Sequence, residues 1–350
     1  MRPKITNYID VGPEPERDRG ISRALTPLSL PRVEMVQRRG PVLHPSPMPD
    51  HEGVLSLNLT RNCGHRCPFC SVRAQPSYPG DEVISLYRNT AADLAAELAQ
   101  RRHPPTAVLI SPSSDPFPPL ARVQAESAKV VDVVASHGID TWLMTRGFIR
   151  PSALRVLARH ANRVRVTVEL TTLDRTLQRL LEPLAAPPQL RIRQIAQLRS
   201  LGVNVQVGLE PLIPDLTDTR QNLSSLLEAL AATGVKHVTT GYMFLRKTIG
   251  EHLGEALEPL GLESAVTDAY ADGPLLASGG IAPARYLPKK YRQRGYAGLM
   301  AMAAGLGIAV RVSATTNPDF ITTRRTEKDG CRGPLQLPLF AEAGSRTSLI

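Results

Sequence analysis

VLSLNLTRNCGHRCPFC, residues 54–70, decides the architecture. Its first seven residues alternate apolar and polar side chains, the period of a half-buried strand. The strand runs without a break into Cys63, Cys67 and Cys70, which are separated by three and two residues. A ligand loop fed directly by a strand places its side chains at the carboxyl edge of a sheet, where parallel β/α folds hold their chemistry. Short loops of this spacing suit three corners of a [4Fe–4S] cube. A structural zinc ion would need a fourth ligand. His65 lies inside the loop itself, and Cys331, the fourth cysteine of the chain, is far along the sequence. Spacing leaves two readings: a cluster with one iron lacking a protein ligand, and zinc closed by a distant residue.

Outward from this loop, β-branched runs alternate with helix-length amphipathic segments. Strands are expected at 54–60, 107–111, 141–145, 164–170, 203–212 and 236–244, and helices near 90–102, 120–137, 152–159, 189–201 and 218–233. Gly138, Gly202 and Gly234 stand where a helix must end in a left-handed residue before the next strand. The pattern is that of α/β proteins with right-handed crossovers. Six such units close most of a barrel or form a doubly wound open sheet. Residues 1–50, rich in Pro and Arg, read as an N-terminal arm, 51–245 as the β/α domain and 246–350 as a mixed C-terminal extension. Within that extension the apolar run 297–310 reads as a buried helix leading into a strand.

Composition narrows the function classes. Four cysteines in 350 residues, three of them clustered, argue against a secreted disulfide scaffold. No uncharged apolar stretch reaches the ~18 residues of a spanning helix. The N-terminal segment has no apolar core behind its charges, so no secretory signal is read there and a cytoplasmic location is expected. The net charge of +10 is concentrated late in the chain, with ten Lys or Arg against three acids between Ile281 and Arg332. Tyr286, Tyr291 and Tyr296 interleave there with Arg285, Lys289, Lys290, Arg292 and Arg294, a composition suited to phosphate contact and base stacking. Core tyrosines on a solvated basic helix would read identically.

The cysteine loop resembles that of the radical S-adenosylmethionine (SAM) superfamily. SLNLTRNCGHRCPFC (56–70), SSDPFPP (113–119), LMTRG (143–147), TTLDRTLQRLLEPLAAPPQLRIRQIAQLRSLGV (171–203) and NPDF (317–320) together resemble the group around spore photoproduct lyase, often called DNA repair photolyase-like proteins. The resemblance implies a partial (β/α)6 barrel and a [4Fe–4S] cluster on Cys63, Cys67 and Cys70. SAM would bind the open iron, and an electron donor such as flavodoxin or ferredoxin would drive its cleavage to methionine and a 5′-deoxyadenosyl radical that abstracts hydrogen from substrate. It further implies SAM contacts from Ser113, Ser114 and Asp115 to the amino group, Arg146 to the carboxylate, Glu169 to the ribose and Phe69 near the adenine. Glu210 is a second rim carboxylate. Spore photoproduct lyases carry a hydrogen-returning cysteine just before their Ser-Asp pair, where this chain has Pro112. Cys331 could take that role only if the tail folds over the barrel mouth. Gln336-Leu337-Pro338-Leu339-Phe340 resembles the peptide by which bacterial proteins dock on the DNA sliding clamp. Expected substrates are therefore a DNA lesion or, alternatively, RNA, a peptide or a small metabolite. A non-catalytic metal protein that binds nucleic acid is the reading from a different class.

Overall fold

Valine, isoleucine and leucine side chains on one side of seven parallel strands, covered by helices, make the core. The computed structural model describes residues 28–46, 54–75, 78–262, 264–278 and 281–320. Cys331 and the pentapeptide 336–340 lie outside the described residues. The strands are β1 (Arg32–Val36), β2 (His44–Pro45), β3 (Leu55–Leu57), β4 (Val83–Tyr87), β5 (Ala107–Ile110), β6 (Asp140–Thr145), β7 (Val164–Glu169), β8 (Asn204–Leu212), β9 (His237–Tyr242), β10 (Leu275–Ser278), β11 (Ile281–Arg285) and β12 (Ala309–Val312). The helices are α1 (Thr90–Gln100), α2 (Ala121–Ser136), α3 (Pro151–Arg159), α4 (Arg175–Leu181), α5 (Pro188–Ser200), α6 (Arg220–Ala232), α7 (Lys247–Leu257), α8 (Ala265–Asp268) and α9 (Lys289–Ala304).

The main sheet runs β12-β9-β8-β7-β6-β5-β3-β2. Every neighbouring pair is parallel except β2–β3. Among the described residues no strand pairing joins its two edges, so the barrel is partial. The helices cover it by apolar stripes: Leu94 and Leu98 of α1, Val123, Val130, Val131 and Val134 of α2, and Leu223, Leu226, Leu227 and Leu230 of α6 are buried at helical spacing. Pro151 and Pro188 open α3 and α5, where a missing N–H costs nothing. Asp174 caps α4 by accepting from the amides of Thr176 (2.7 Å) and Leu177 (2.9 Å). Gly138, Gly202 and Gly234 take φ of 75°, 77° and 76°, the left-handed stops the sequence calls for.

The chain departs from the sequence reading in two places. The segment read as an arm contains β1, which pairs in parallel with β4 just beyond the cysteine loop. The segment after 245 returns to the barrel sheet, where β12 extends it alongside β9. α9 and β12 are the helix and strand expected over 297–310, with the helix beginning earlier.

The basic stretch near the C-terminus is corrected more sharply. Tyr286 and Tyr296 are core residues, and Arg292 is fully buried. The Arg292 guanidinium donates to the Leu287 carbonyl (3.0 Å), Asn317 Oδ1 (2.7 Å) and Asp319 Oδ2 (2.6 Å). The NPDF segment is thus a clamp on α9. Tyr286 and Tyr296 are thus not available for stacking on bases, whereas Lys290, Tyr291 and Arg294 remain exposed.

Candidate active site

The loop after β3 is fixed before any cofactor enters. Asn62 Nδ2 donates to the Gly80 and Val83 carbonyls, and its Oδ1 accepts from the Cys63 amide (2.6 Å). Arg66, at φ 58°, donates to the Asp81 carbonyl from both Nε (3.3 Å) and a terminal nitrogen (3.1 Å). Arg73 forks onto the Asp81 carboxylate at 3.1 and 2.7 Å. The sequence offers no sign of these anchors because they are split between the loop and residues 80–83.

His65 supplies the deepest anchor. It is buried, with Nδ1 3.1 Å from the Leu184 carbonyl and Nε2 2.9 Å from Asp115 Oδ2. Asp115 follows β5 and also accepts from the Phe117 amide (2.7 Å), Thr145 Oγ1 (2.8 Å) and the Arg146 amide (2.7 Å). Burial alone would raise its carboxyl, yet His65 and the two amides outweigh that and hold it below the usual carboxylate range. Asp115 thereby joins three rim loops. Gly147 lets the LMTRG turn touch this junction: an added Cβ would lie 2.7 Å from the Phe117 carbonyl carbon and closer to its oxygen.

Around the junction, burial disfavours the thiolate at Cys63, Cys67 and Cys70 and pushes each thiol up. The charge of Cys63 also senses Cys67, Cys70 and Asp115, while Arg146 opposes the shift at Cys67 and Cys70. Among the described residues, no three His, Cys, Asp or Glu side chains meet as the ligands of a single ion. A cube carries its thiolates on separate irons and places a different demand on the loop. Three thiols sharing one buried, pinned loop fit that donor set.

Arg146, after β6, is the hub of a buried charge network. It donates to Glu182 Oε1 (2.7 Å) and to the Glu210 carbonyl (2.9 Å), lies 4.0 Å from Glu169 Oε2, and covers the Phe69 ring at 5.3 Å. Glu182 also bonds Arg191, whose other nitrogens donate to the carbonyls of Ala186 (2.9 Å) and Glu169 (2.6 Å). Glu182 and Arg191 are fully buried, each supplying the counter-charge that makes the other's burial tolerable. Sequence reasoning missed both, although Arg191 falls at helical spacing with the buried Gln194, Ile195 and Leu198 of α5, a usable signal for a buried partner.

Several buried polar atoms at the rim make no hydrogen bond, among them Glu169 Oε2, Ser114 Oγ and Thr171 Oγ1. Burial raises the Glu169 carboxyl, with Arg146 opposing. Its carboxylate lies over Gly208, its register partner on β8, where any Cβ would collide with it. Ser113 donates its amide to Asn58 Oδ1 (3.0 Å). Phe69, Ser113, Ser114, Arg146, Glu169 and the three cysteines thus belong to loops or strand ends on one rim.

Residues 57–227 match the family model described as the Radical SAM superfamily. The chain carries a radical SAM domain. Enzymes of this superfamily use a [4Fe–4S] cluster and SAM, and the rim described above has the donor types for both. An uncharacterized protein of Mycobacterium tuberculosis is 28% identical over 252 residues, covering 68% of this chain and 70% of that relative. A protein of Pseudomonas phage M6 named Radical SAM Nalpha-GlyT isomerase is 26% identical over 193 residues, 55% of this chain and 40% of that protein. The structure of spore photoproduct lyase complexed with dinucleoside spore photoproduct superposes with a TM-score of 0.65 at 12% identity, covering 80% of this chain and 82% of that one. At that identity the likeness is one of fold. Among the described residues of this radical SAM protein, no helix is long and apolar enough to cross a membrane.

Proposed function

We propose that this radical SAM protein binds its cluster through Cys63, Cys67 and Cys70 and acts on a nucleobase of DNA. When bound, the reduced cluster supplies an electron that cleaves the C5′–S bond of SAM, and the resulting radical takes hydrogen from substrate. The observation that carries the reading is the pairing of an anchored cysteine loop with buried acceptors that make no hydrogen bond, Glu169 Oε2 and Ser114 Oγ, on the same rim. Glu169 would accept from the ribose hydroxyls, Ser114 from the amino group, and the remaining N–H groups of Arg146 would meet the carboxylate. Phe69, braced by Arg146, would flank the adenine. The electron would come from a flavodoxin- or ferredoxin-like donor. DNA as substrate is supported by the shared fold with a lyase crystallised with a dinucleoside photoproduct.

Pro112 favours a second reading of the reaction itself. With proline before the Ser-Ser-Asp turn and the described cysteines limited to the three loop thiols, no described thiol stands ready to return hydrogen. An isomerisation, in which 5′-deoxyadenosine gives its hydrogen back, needs no such donor, and the phage relative carries the name of an isomerase. One experiment addresses both. The protein is reconstituted anaerobically, reduced with dithionite, and given SAM with ring- and methyl-deuterated thymidine in ultraviolet-treated and untreated DNA. Deuterium in 5′-deoxyadenosine supports DNA chemistry, and solvent hydrogen in the product separates lesion reversal from isomerisation. Cofactor cleavage with no deuterium transfer from either DNA would remove thymine in DNA as the substrate.

A further inference from the structure

An arginine-rich surface lies beside the cysteine loop, built from three separate stretches of chain. β1 and β4 run parallel with Val36 opposite Tyr87, and the Arg88 amide donates to the Val36 carbonyl (2.8 Å). The strand-to-loop segment crosses the same ends: the Tyr87 amide donates to the Leu59 carbonyl (3.0 Å) and the Arg61 amide to the Ser85 carbonyl (3.1 Å). This crossing brings Arg38 and Arg61 onto one tyrosine, with Arg39 next to Arg38 and Arg88 next to Tyr87 in the chain. The Arg38 guanidinium lies 4.0 Å over the Tyr87 ring and donates to the Asn58 carbonyl (2.7 Å). Arg61 lies 5.8 Å from the ring centre and donates from Nε to the Tyr87 hydroxyl (3.3 Å).

Acids do not balance the patch. Asp93 and Glu97 are the carboxylates whose field reaches Arg38. Glu97 is already engaged by the Val42 and Leu43 amides and by Arg101. Arg39, Arg61 and Arg88 are exposed, and none forms an ion pair among the described residues. Four like charges held together raise the energy of the folded chain unless an anion offsets them. Stacking on Tyr87 fixes guanidinium planes in advance, which suits bidentate capture of phosphate. Arg61 stands two residues before Cys63, so at most about 7 Å of extended backbone separates the patch from the cluster loop.

We propose that Arg38, Arg39, Arg61 and Arg88 bind the phosphodiester backbone of a DNA strand and lead it to the barrel mouth. The inference rests on the reading of DNA as substrate and adds where the strand enters. It also moves the nucleic-acid contact away from the C-terminal basic stretch, whose Arg292, Tyr286 and Tyr296 are spent on the core.

The test measures fluorescence anisotropy of labelled duplex DNA and duplex RNA with the reconstituted full chain between about 50 and 200 mM salt. In the triple variant Arg39→Gln/Arg61→Gln/Arg88→Gln, loss of three phosphate contacts makes the log–log salt slope on DNA shallower by about 2.7. Over a fourfold change in salt, the loss of affinity then shrinks by about 40-fold relative to the parent. Each single exchange gives about 0.9 of slope, which keeps the test alive should the triple variant not fold. Lys290→Gln/Arg294→Gln, on the exposed side of α9, leaves the slope unchanged. An unaltered slope in the triple variant, or a parent that binds neither nucleic acid, overturns the proposal. The same slope change on RNA alone keeps the phosphate site and refutes DNA. A slope change on DNA without deuterium transfer keeps the site while removing the thymine chemistry.

Discussion

Adding one methyl group opposite Glu169 separates cofactor recognition from cluster assembly. An alanine Cβ at Gly208 would sit 2.5 Å from the Glu169 Cδ and nearer still to both oxygens, so the carboxylate must swing away. Gly208 has no positive φ, so alanine is not strained in the backbone there. The stability cost is that of a tight insertion, about 1–3 kcal/mol. Hydrogen bonds to a charged acceptor contribute about 1.5–3 kcal/mol each. Losing one of them from a ribose hydroxyl weakens SAM binding by about 10- to 150-fold, since 1.4 kcal/mol is tenfold. Equilibrium dialysis with SAM on the reconstituted protein reads the change directly, while iron content and cluster absorbance stay at the parent level. A double-mutant cycle with Glu169→Ala decides the cause. If the carboxylate is the intermediary, Gly208→Ala adds almost nothing to the Glu169→Ala variant. Fully additive losses, or undiminished affinity in Gly208→Ala alone, would refute the assignment of Glu169 to SAM.

Cys67→Ala is expected to lose iron and 5′-deoxyadenosine formation together with an unchanged circular dichroism spectrum; cleavage surviving in that variant contradicts the ligand set. Glu182→Leu strands Arg191 and leaves Arg146 with only Glu169 at 4.0 Å, which costs about 3–5 kcal/mol, read as a shifted urea midpoint. Burial pushes the Glu182 carboxyl up, but Arg191 and Arg146 outweigh it and hold the group below its ordinary range. Its contribution to stability is therefore complete above the unfolded value of about 4.3 and fades as pH falls through the lower folded value. Glu182→Gln flattens that acid limb, and a limb unchanged in urea titrations across pH shows that other carboxylates govern it. Gly147→Ala forces the LMTRG turn off the Phe117 carbonyl and is expected to cost toward the upper part of about 1–3 kcal/mol, measured by thermal denaturation.

The β/α series was legible because its signals are local, whereas the choice of a partial barrel over an open sheet came only with the family resemblance. A β-branched run, a left-handed glycine and an apolar stripe each state their element within a few residues, and six strands and five helices follow. β4 was missed because VISLY stands between a cysteine loop and a helix, and its partner β1 lies in a Pro- and Arg-rich stretch. α4, seven residues long, has too few turns to show a period. The basic stretch misled for a related reason. Arg292, Tyr296, Leu299 and Ala303 are the buried face of α9 at helical spacing, so the period marks Tyr296 as core. What composition hides is the burial of Arg292, an exception that requires Asn317 and Asp319 from the far side of β12.

The same distinction explains the site. The cysteines announce themselves by spacing, since ligands of one cluster can come from one loop. The groups that hold the loop cannot, because rigidity requires ties to other elements. His65 reaches Asp115 and Leu184, Asp115 reaches Thr145 and Arg146, and Arg146 reaches Glu182 and Glu210. Each tie spans a different strand end, so the rim is braced as one unit. A cofactor that must deliver a radical to a single hydrogen needs that bracing, because small displacements carry large losses in rate. Asp115 is a central tie of that brace, so its substitution is expected to disturb cluster, SAM affinity and stability together, whereas Gly208→Ala is expected to act on SAM affinity and leave the cluster in place.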